Sequence, residues 1–445
     1  MIRIRKIIDT MINIHTILQK RQEENKIIRC GIVGAGQMGR GLITQMMLMK
    51  GIMPAAVAAS KAENALKALI YAGVDRFDII VTDVVSEANA AINKGKHVAT
   101  ENIDLISQMS FVDCVIDATG VPDVGATVAK DAILNHKHVV MLNVEADVVI
   151  GPYLKKLAEK NGVIYTGSAG DEPAAVMELY SFAKAIGFDV KVIGKGKNNK
   201  LDFACTPETV LEEAQRRKMN PKMLCAFKDG TKTMVELTAM CNSTGFVPDI
   251  IGTHGISSDV KDLTNRFKLL KDGGMLHRHG VVEYVNGIAP GVFAVVHSDN
   301  EEITYQMDYL LMGPGPMWTL YRPYHLCNLE TPLSVARAVI YNEPTIVPID
   351  GLVAECIAVA KRDLRAGEII DGIGGYTTYG SVAAIEVSDK LGYVPYGLVN
   401  EKTKLTKSYK KGEYLTLDGV ELDRSALIYR LRKEQDSYYG RELLE

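Results

Sequence analysis

The feature that most restricts what this chain can fold into is an alternation that starts near residue 28. Short runs that are apolar at almost every position, "KIIRCGIV", "MPAAVAAS", "HVAT", "CVIDATG", "HVVMLNV" and "GVIYTGS", are separated by stretches of helical character such as "AENALKALIYAG", "VGATVAKDAILNH" and "IGPYLKKLAEKNG". A strand with no polar face has to be covered on both sides. Such strands alternating with helices predict a parallel sheet with helices on each face, an α/β fold.

The first strand runs into "GIVGAGQMGRG", which holds G-x-G-x-x-G at Gly34, Gly36 and Gly39. Alone the pattern is weak. Between a strand and a helix it has the context of a dinucleotide-binding loop of the Rossmann kind. Gly34 allows the tight turn, Gly36 lets a pyrophosphate approach the backbone, and Gly39 lets helix and strand pack closely. Ala35, Gln37 and Met38 supply the rest of the loop, and the helix N-terminus favours negative charge. The bland alternative is a glycine turn with no ligand. A carboxylate that holds the ribose hydroxyls of NAD is expected at the end of the second strand. Ser60 and Lys61 stand there instead. A hydroxyl and a cation suit a 2′-phosphate, so NADP is favoured over NAD, unless Lys61 only begins the next helix. At the ends of the fourth and fifth runs, Ala118, Thr119, Gly120 and Asn143 are expected to line the nicotinamide pocket, because ligands bind at the carboxyl ends of such strands. Asp117 could as easily cap the following helix.

From about residue 166 the texture changes. Strand-like "VKVIGKG", "KTMVELTAM", "GVFAVV" and "TLYRPYHL" mix with helical "AAVMELYSFAKAIG", "PETVLEEAQRRKM" and "TPLSVARAVIYN". After about 350, "AVAKRDLRAGEII" and "KGEYLTLDGVEL" read as short strands with charged turns, ahead of a helical tail. The expected organisation is an N-terminal amphipathic helix over 1–27, a Rossmann domain over 28–165, an α+β substrate and dimerisation domain over 166–345, and a small β domain with a helical tail over 350–435.

With 445 residues, 47% hydrophobic and 24% charged, the chain has the composition of a globular protein of two or three domains. A net charge of −3 gives no bias towards nucleic acid or anionic membranes. Asp9 and His15 interrupt the first apolar stretch, so it is not read as a signal peptide, and no membrane span is expected. The seven cysteines are odd in number and lack any C-x-x-C, which points to reduced thiols and a cytoplasmic protein.

"CGIVGAGQMGRG", "VIDATGVPDVGA", "HVVMLNVEADVVIGPYLKKLA", "GSAGDEPAA", "GKGKNN" and "RPYHLCNLETPL" together resemble the homoserine dehydrogenase-like NAD(P)-dependent oxidoreductases that carry a C-terminal SAF domain. The resemblance runs from about 25 to 435. It implies hydride transfer between a nicotinamide and a small hydroxy or oxo acid, a β-clip (SAF) fold over 350–435, and a homo-oligomer, a dimer built through the middle domain. It also fails in places. Val144 and Glu145 follow Asn143 where those enzymes have lysine, "AGDEP" puts Asp171 and Glu172 where they have a glycine-rich turn, and "NSTGFVPDIIGTHG" stands where they carry a D-x-D-P helix. Homoserine as substrate is therefore in doubt.

The resemblance places "VKVIGKGKNN" at the border of the substrate. Hydride transfer to a carbonyl needs a proton donor beside the developing alkoxide. Lys197 is the first choice and Lys195 the second, with Glu145, Asp171 and Glu172 as partners; a solvated turn is the alternative. Asn198, His254 and Arg322 are candidate substrate contacts, Arg322 as a carboxylate clamp or as part of an aromatic interface. His277 and His279 in "HRHG" look like a metal pair, but no Cys or acidic ligand stands at useful spacing, so an exposed turn and no metal are expected. Two other functions remain open: a nicotinamide-dependent sugar-acid oxidoisomerase, and a non-catalytic nucleotide sensor.

Overall fold

The computed structural model describes residues 13–442 and 444. Two compact units emerge, one of residues 1–143, 154–170 and 326–347, the other of 144–153, 171–325 and 348–445. Of the expected N-terminal helix, Ile14–Glu23 is observed, capped by Asn13 and holding Leu18 in the core; residues 1–12 lie outside the described residues.

In the first unit a seven-stranded sheet is parallel throughout. Its strands are β1 (Ile28–Val33), β2 (Ile52–Ala58), β3 (Ile79–Val81), β4 (His97–Thr100), β5 (Cys114–Asp117), β6 (His138–Met141) and β7 (Tyr165–Gly167), in the order β3-β4-β2-β1-β5-β6-β7. The expected α/β class holds, with one strand more than the sequence reading found. β3 has three residues, lies at the edge and exposes Val81, so it carries almost none of the apolar signal of the central strands. "DATG" therefore closes the fifth strand and Asn143 follows the sixth. A second difference is that the stretch after Met141 does not stay extended: a helix begins at Val144 and runs to Asn161, with Glu145 in its first turn. The chain crosses from β1 to opposite sides of the sheet, so β1 and β5 flank the switch point at which a parallel sheet opens a crevice.

The second unit is built on a mixed sheet, β8 (Asp189–Lys197), β9 (Val247–Pro248), β10 (Ile256–Ser257), β11 (Val281–Asn286), β12 (Val292–His297) and β13 (Met317–Arg322), ordered β10-β11-β8-β12-β13 with β9 also on β11. β14 (Ala354–Ala360) and β15 (Thr378–Ala384) form an antiparallel pair, and the helix Leu427–Tyr438 closes the chain. The stretch "KTMVELTAM", expected as a strand, is the middle of the helix Thr231–Thr244, which is buried from Thr233 to Ser243. Its Val, Thr and Met residues suit a strand by composition, and a helix surrounded by protein loses the polar face that gives a 3.6-residue period.

Among the described residues no two of the seven cysteines form a disulfide, and six are buried. No described helix is long and apolar enough to cross a membrane.

Candidate functional site

The glycine loop of the first unit shows which of its glycines the protein itself requires. Gly34 has φ +111°, and a Cβ there would come within 2.7 Å of the Ala118 carbonyl oxygen. At Gly39 a Cβ would collide with the Gly34 carbonyl. Gly36 differs: its φ is an ordinary −70° and a Cβ would meet no atom within 4 Å. Nothing in the fold asks for glycine at 36, so the space in front of it suits a group that is not part of the chain. Gly36 also caps the helix Gln37–Leu48 without a side chain. That leaves the first-turn N–H groups, those of Gln37 and Met38 included, without a side-chain cap. These residues fit the pyrophosphate of a dinucleotide, with Ala35, Gln37 and Met38 as its cradle.

At the end of β2, Ser60 and Lys61 are both exposed, and Lys61 begins the helix Ala62–Tyr71 without a side-chain capping bond. Ala118, Thr119 and Gly120 are partly exposed beyond β5. Asn143 is fully buried. Its Nδ2 donates to Asp117 Oδ2 at 2.8 Å, to Thr119 Oγ1 at 3.3 Å and to the Val121 carbonyl at 2.9 Å, while Asp117 Oδ1 accepts from the Thr119 N–H and hydroxyl. Through Nδ2, Asn143 thus ties the two strand ends together.

The second unit explains the alternation in "GKGK". Val281, Glu283 and Val285 pair with Val192, Gly194 and Gly196, while Tyr284 pairs with Lys195 and Asn286 with Lys197. Side chains alternate across a strand. Gly194 and Gly196 therefore share one face, where a Cβ would collide with the Glu283 carbonyl and with the Ala289 backbone, respectively. Lys195 and Lys197 share the other, which packs against the helices Glu172–Ala185 and Thr231–Thr244. Both lysines are 5% exposed.

Those helices bring the counter-charges. Lys195 Nζ donates to Glu172 Oε1 at 2.6 Å and also to Glu236 Oε2. Glu172 Oε1 lies 3.4 Å from His325 Nε2. One turn before Glu236 on the same helix face, Lys232 Nζ donates to Glu145 Oε1 at 2.9 Å. Glu145 Oε2 is buried with no hydrogen-bond partner among the described residues. Asp171 is the N-cap of its helix, but its carboxylate makes no capping bond and is 4% exposed. Among the described residues Lys197 Nζ donates to a neutral acceptor, the Phe227 carbonyl at 2.9 Å.

The electrostatics separate the two lysines. Burial disfavours the charge on Lys195, but Glu172 and Glu236 outweigh it and hold the ammonium firmly protonated. Burial lowers Lys197, the Lys195 charge lowers it further, and it falls to about 8. Burial raises Asp171 far into the neutral range, with Glu172 and Glu236 adding to the rise against Lys232. Burial would also raise Glu172, but Lys195 and His325 hold it well below the usual carboxylate range. Burial, with Glu172 adding to it, raises Glu236 as well, so the cluster sets a lowered amine, Lys197, and two raised carboxyls, Asp171 and Glu236, among the firmly protonated Lys195 and Lys232.

Of the residues singled out from the sequence, the structure brings together Lys195, Lys197, Glu145, Asp171 and Glu172. It adds Lys232, Glu236 and His325. Arg322 is in register with Val292, which pairs with Lys195. It thus lies on the lysine face two strands away, 3.0 Å from Glu178 and over the Tyr324 ring. Asn198 is exposed and borders an open surface cavity of ≈ 550 Å³ with Lys200, Asp202 and Lys228. His254 is elsewhere, 2.8 Å from Asp249. His277 is not a bare turn residue: Asp249, absent from its sequence neighbourhood, meets it at 2.9 Å.

Residues 170–331 match the family model of oxidoreductase DRL, catalytic domain. This part of the chain is similar to an oxidoreductase catalytic domain. The match contains every member of the cluster except Glu145. The homoserine dehydrogenase and SAF readings stay at the level of resemblance. Among solved structures, a probable dehydrogenase from Thermotoga maritima is similar over 73% of this chain and 91% of its own, at 14% identity and a TM-score of 0.39. Scyllo-inositol dehydrogenase from Lactobacillus casei, with bound NAD(H) and scyllo-inositol, is similar over 66% and 76%, at 15% identity and a TM-score of 0.35. A myo-inositol dehydrogenase from Corynebacterium glutamicum is similar over 66% and 75%, at 11% identity and a TM-score of 0.35. All three likenesses are loose. No curated protein matches the chain.

Proposed function

We propose that this oxidoreductase transfers hydride between a nicotinamide dinucleotide, NADP in preference to NAD, and a small hydroxy or oxo acid, with Lys197 as the proton-transferring group. The observation that carries the reading is the contrast between two buried lysines on one strand face. Lys195 is fixed as a cation by two carboxylates that it contacts directly, while Lys197 donates to a carbonyl, and burial with the Lys195 charge outweighs Glu236 and Asp229 and holds it near 8. A group balanced between its two protonation states near working pH is what general acid–base catalysis requires. When bound, the nicotinamide supplies or accepts the hydride.

In the reducing direction Lys197 Nζ gives its proton to the alkoxide oxygen that develops from the carbonyl. In the oxidising direction the neutral amine takes the proton from the hydroxyl. Lys195 keeps its charge throughout and stabilises the oxyanion and a substrate carboxylate electrostatically. The first-turn N–H groups of Gln37 and Met38 hold the pyrophosphate. Ser60 and Lys61 take the 2′-phosphate, since no carboxylate stands at that strand end to repel it.

A second reading rests on Asp171. A carboxyl raised into the neutral range among Lys232, Glu172, Glu236 and Lys195 supplies a second acid–base group to the cluster, which a sugar-acid oxidoisomerase needs for enolisation in addition to redox.

The test follows loss of NADPH absorbance with purified protein and a panel of oxo acids, among them aspartate semialdehyde and tetrose- and pentose-derived acids, with NADH in parallel. Turnover of at least one panel member, faster with NADPH, is the expected result. NADPH binding without turnover of any member would favour the sensor.

A further inference from the structure

The opposite face of the second unit's sheet carries a separate cluster. Glu283 pairs with Gly194 and Tyr284 with Lys195, so Glu283 points away from the lysine face. The loop 249–255 and the approach to β11 meet there. Asp249, whose side chain is fully buried, directs Oδ2 at His254 Nε2 (2.8 Å) and at His277 Nδ1 (2.9 Å). The three atoms lie within 4.8 Å of one another.

We infer that Asp249, His254 and His277 form a binding site for a divalent cation of the zinc kind. Two imidazole nitrogens and one carboxylate oxygen are the ligand types that zinc selects. Ligands about 2.1 Å from a common ion at tetrahedral or octahedral angles stand about 3.0–3.4 Å apart. The observed O–N separations need to widen by only a few tenths of an ångström. One carboxylate oxygen facing two ring nitrogens is a satisfied hydrogen-bond trio only while both nitrogens carry protons there; a cation takes the place of both.

The surroundings hold the ligands. The Asp249 carboxylate accepts the His277 backbone N–H at 3.1 and 3.2 Å. Buried Glu283 accepts the His254 N–H at 3.1 Å on both oxygens, fixing the backbone from which that imidazole projects. Such outer contacts orient ligands in metal sites. The residue before His254, Thr253, has φ +60°, and its buried hydroxyl has no partner among the described residues. A β-branched residue in the left-handed region costs about 1–3 kcal/mol and persists where the surroundings impose it. The His277 side chain is 61% exposed, which leaves the remaining coordination positions to water.

The test uses the full, untagged chain, stripped with a chelator and dialysed against Zn2+, with metal content measured per chain and Co2+ absorption as the geometric probe. One zinc per chain, visible cobalt bands, and a zinc-dependent rise in Tm are expected. His277→Ala, at an exposed position that leaves the fold intact by circular dichroism, is expected to lose all three. No stoichiometric zinc, or zinc retained equally by His277→Ala, overturns the site. Neither result bears on the lysine face, so this test is independent of the hydride-transfer reading.

Discussion

Replacing each of the two lysines of β8 by methionine separates what burial does to them. Lys197 falls from 10.5 to about 8, so its charged form is disfavoured in the fold by about 2.5 units, or about 3 kcal/mol at about 1.36 kcal/mol per unit. Methionine removes that penalty and loses one hydrogen bond to the Phe227 carbonyl, about 1 kcal/mol. Lys197→Met is therefore expected to be about 2 kcal/mol more stable than the parent at pH 7. The folded-state value is lowered, so the unfolded chain binds the extra proton between about 8 and 10.5. The parent accordingly gains stability as pH rises through that window, and the advantage of the variant shrinks. Lys195→Met has the opposite sign. It leaves Glu172 and Glu236 buried without their cation and is expected to cost about 3–5 kcal/mol. Urea unfolding of all three proteins at pH 7 and 9.5 measures this. A Lys197→Met protein less stable than the parent at pH 7, or a difference that ignores pH, would refute the electrostatic reasoning.

Gly36→Ala is expected to leave Tm unchanged and weaken NADPH binding at least about tenfold, since its Cβ enters the ligand's space and touches nothing in the chain; Gly39→Ala is expected to lose about 1–3 kcal/mol of stability through its collision with the Gly34 carbonyl, read by urea unfolding. Lys61→Glu is expected to reverse the preference between NADPH and NADH, with a change in the affinity ratio of about tenfold or more for one charge-assisted contact, read by fluorescence titration. Glu236→Gln removes a charge that raises Lys197, so the pH–rate limb assigned to that lysine is expected to move to lower pH by about 1 unit.

The parallel sheet and its phosphate loop were legible because they rest on local signals, apolar runs and glycine spacing. β3 was not, since an edge strand of three residues carries little pattern. The lysines of "GKGK" were visible as an oddity, and the structure supplies the reason for the glycines between them. Lys232 and Glu236 were missed through one error of period. "KTMVELTAM" read as a strand puts residues 232 and 236 on a chain with no known partner, whereas in a helix they stand one turn apart on a common face. Asp249 could not be linked to His277, because 28 residues and the return of the chain to the sheet separate them. The first failure concerns a buried helix, in which sequence period no longer reports exposure; the second concerns a contact between distant stretches, which no local pattern encodes.

The central claim is that Lys197 moves the proton, and the most direct measurement is the pH dependence of kcat/KM in both directions with the best panel substrate. The account predicts mirrored limbs near pH 8, reduction falling above it and oxidation rising towards it, with both limbs absent from the residual activity of Lys197→Met. Limbs that survive unchanged in that variant, or rates that are flat between pH 7 and 9 in the parent, would contradict it.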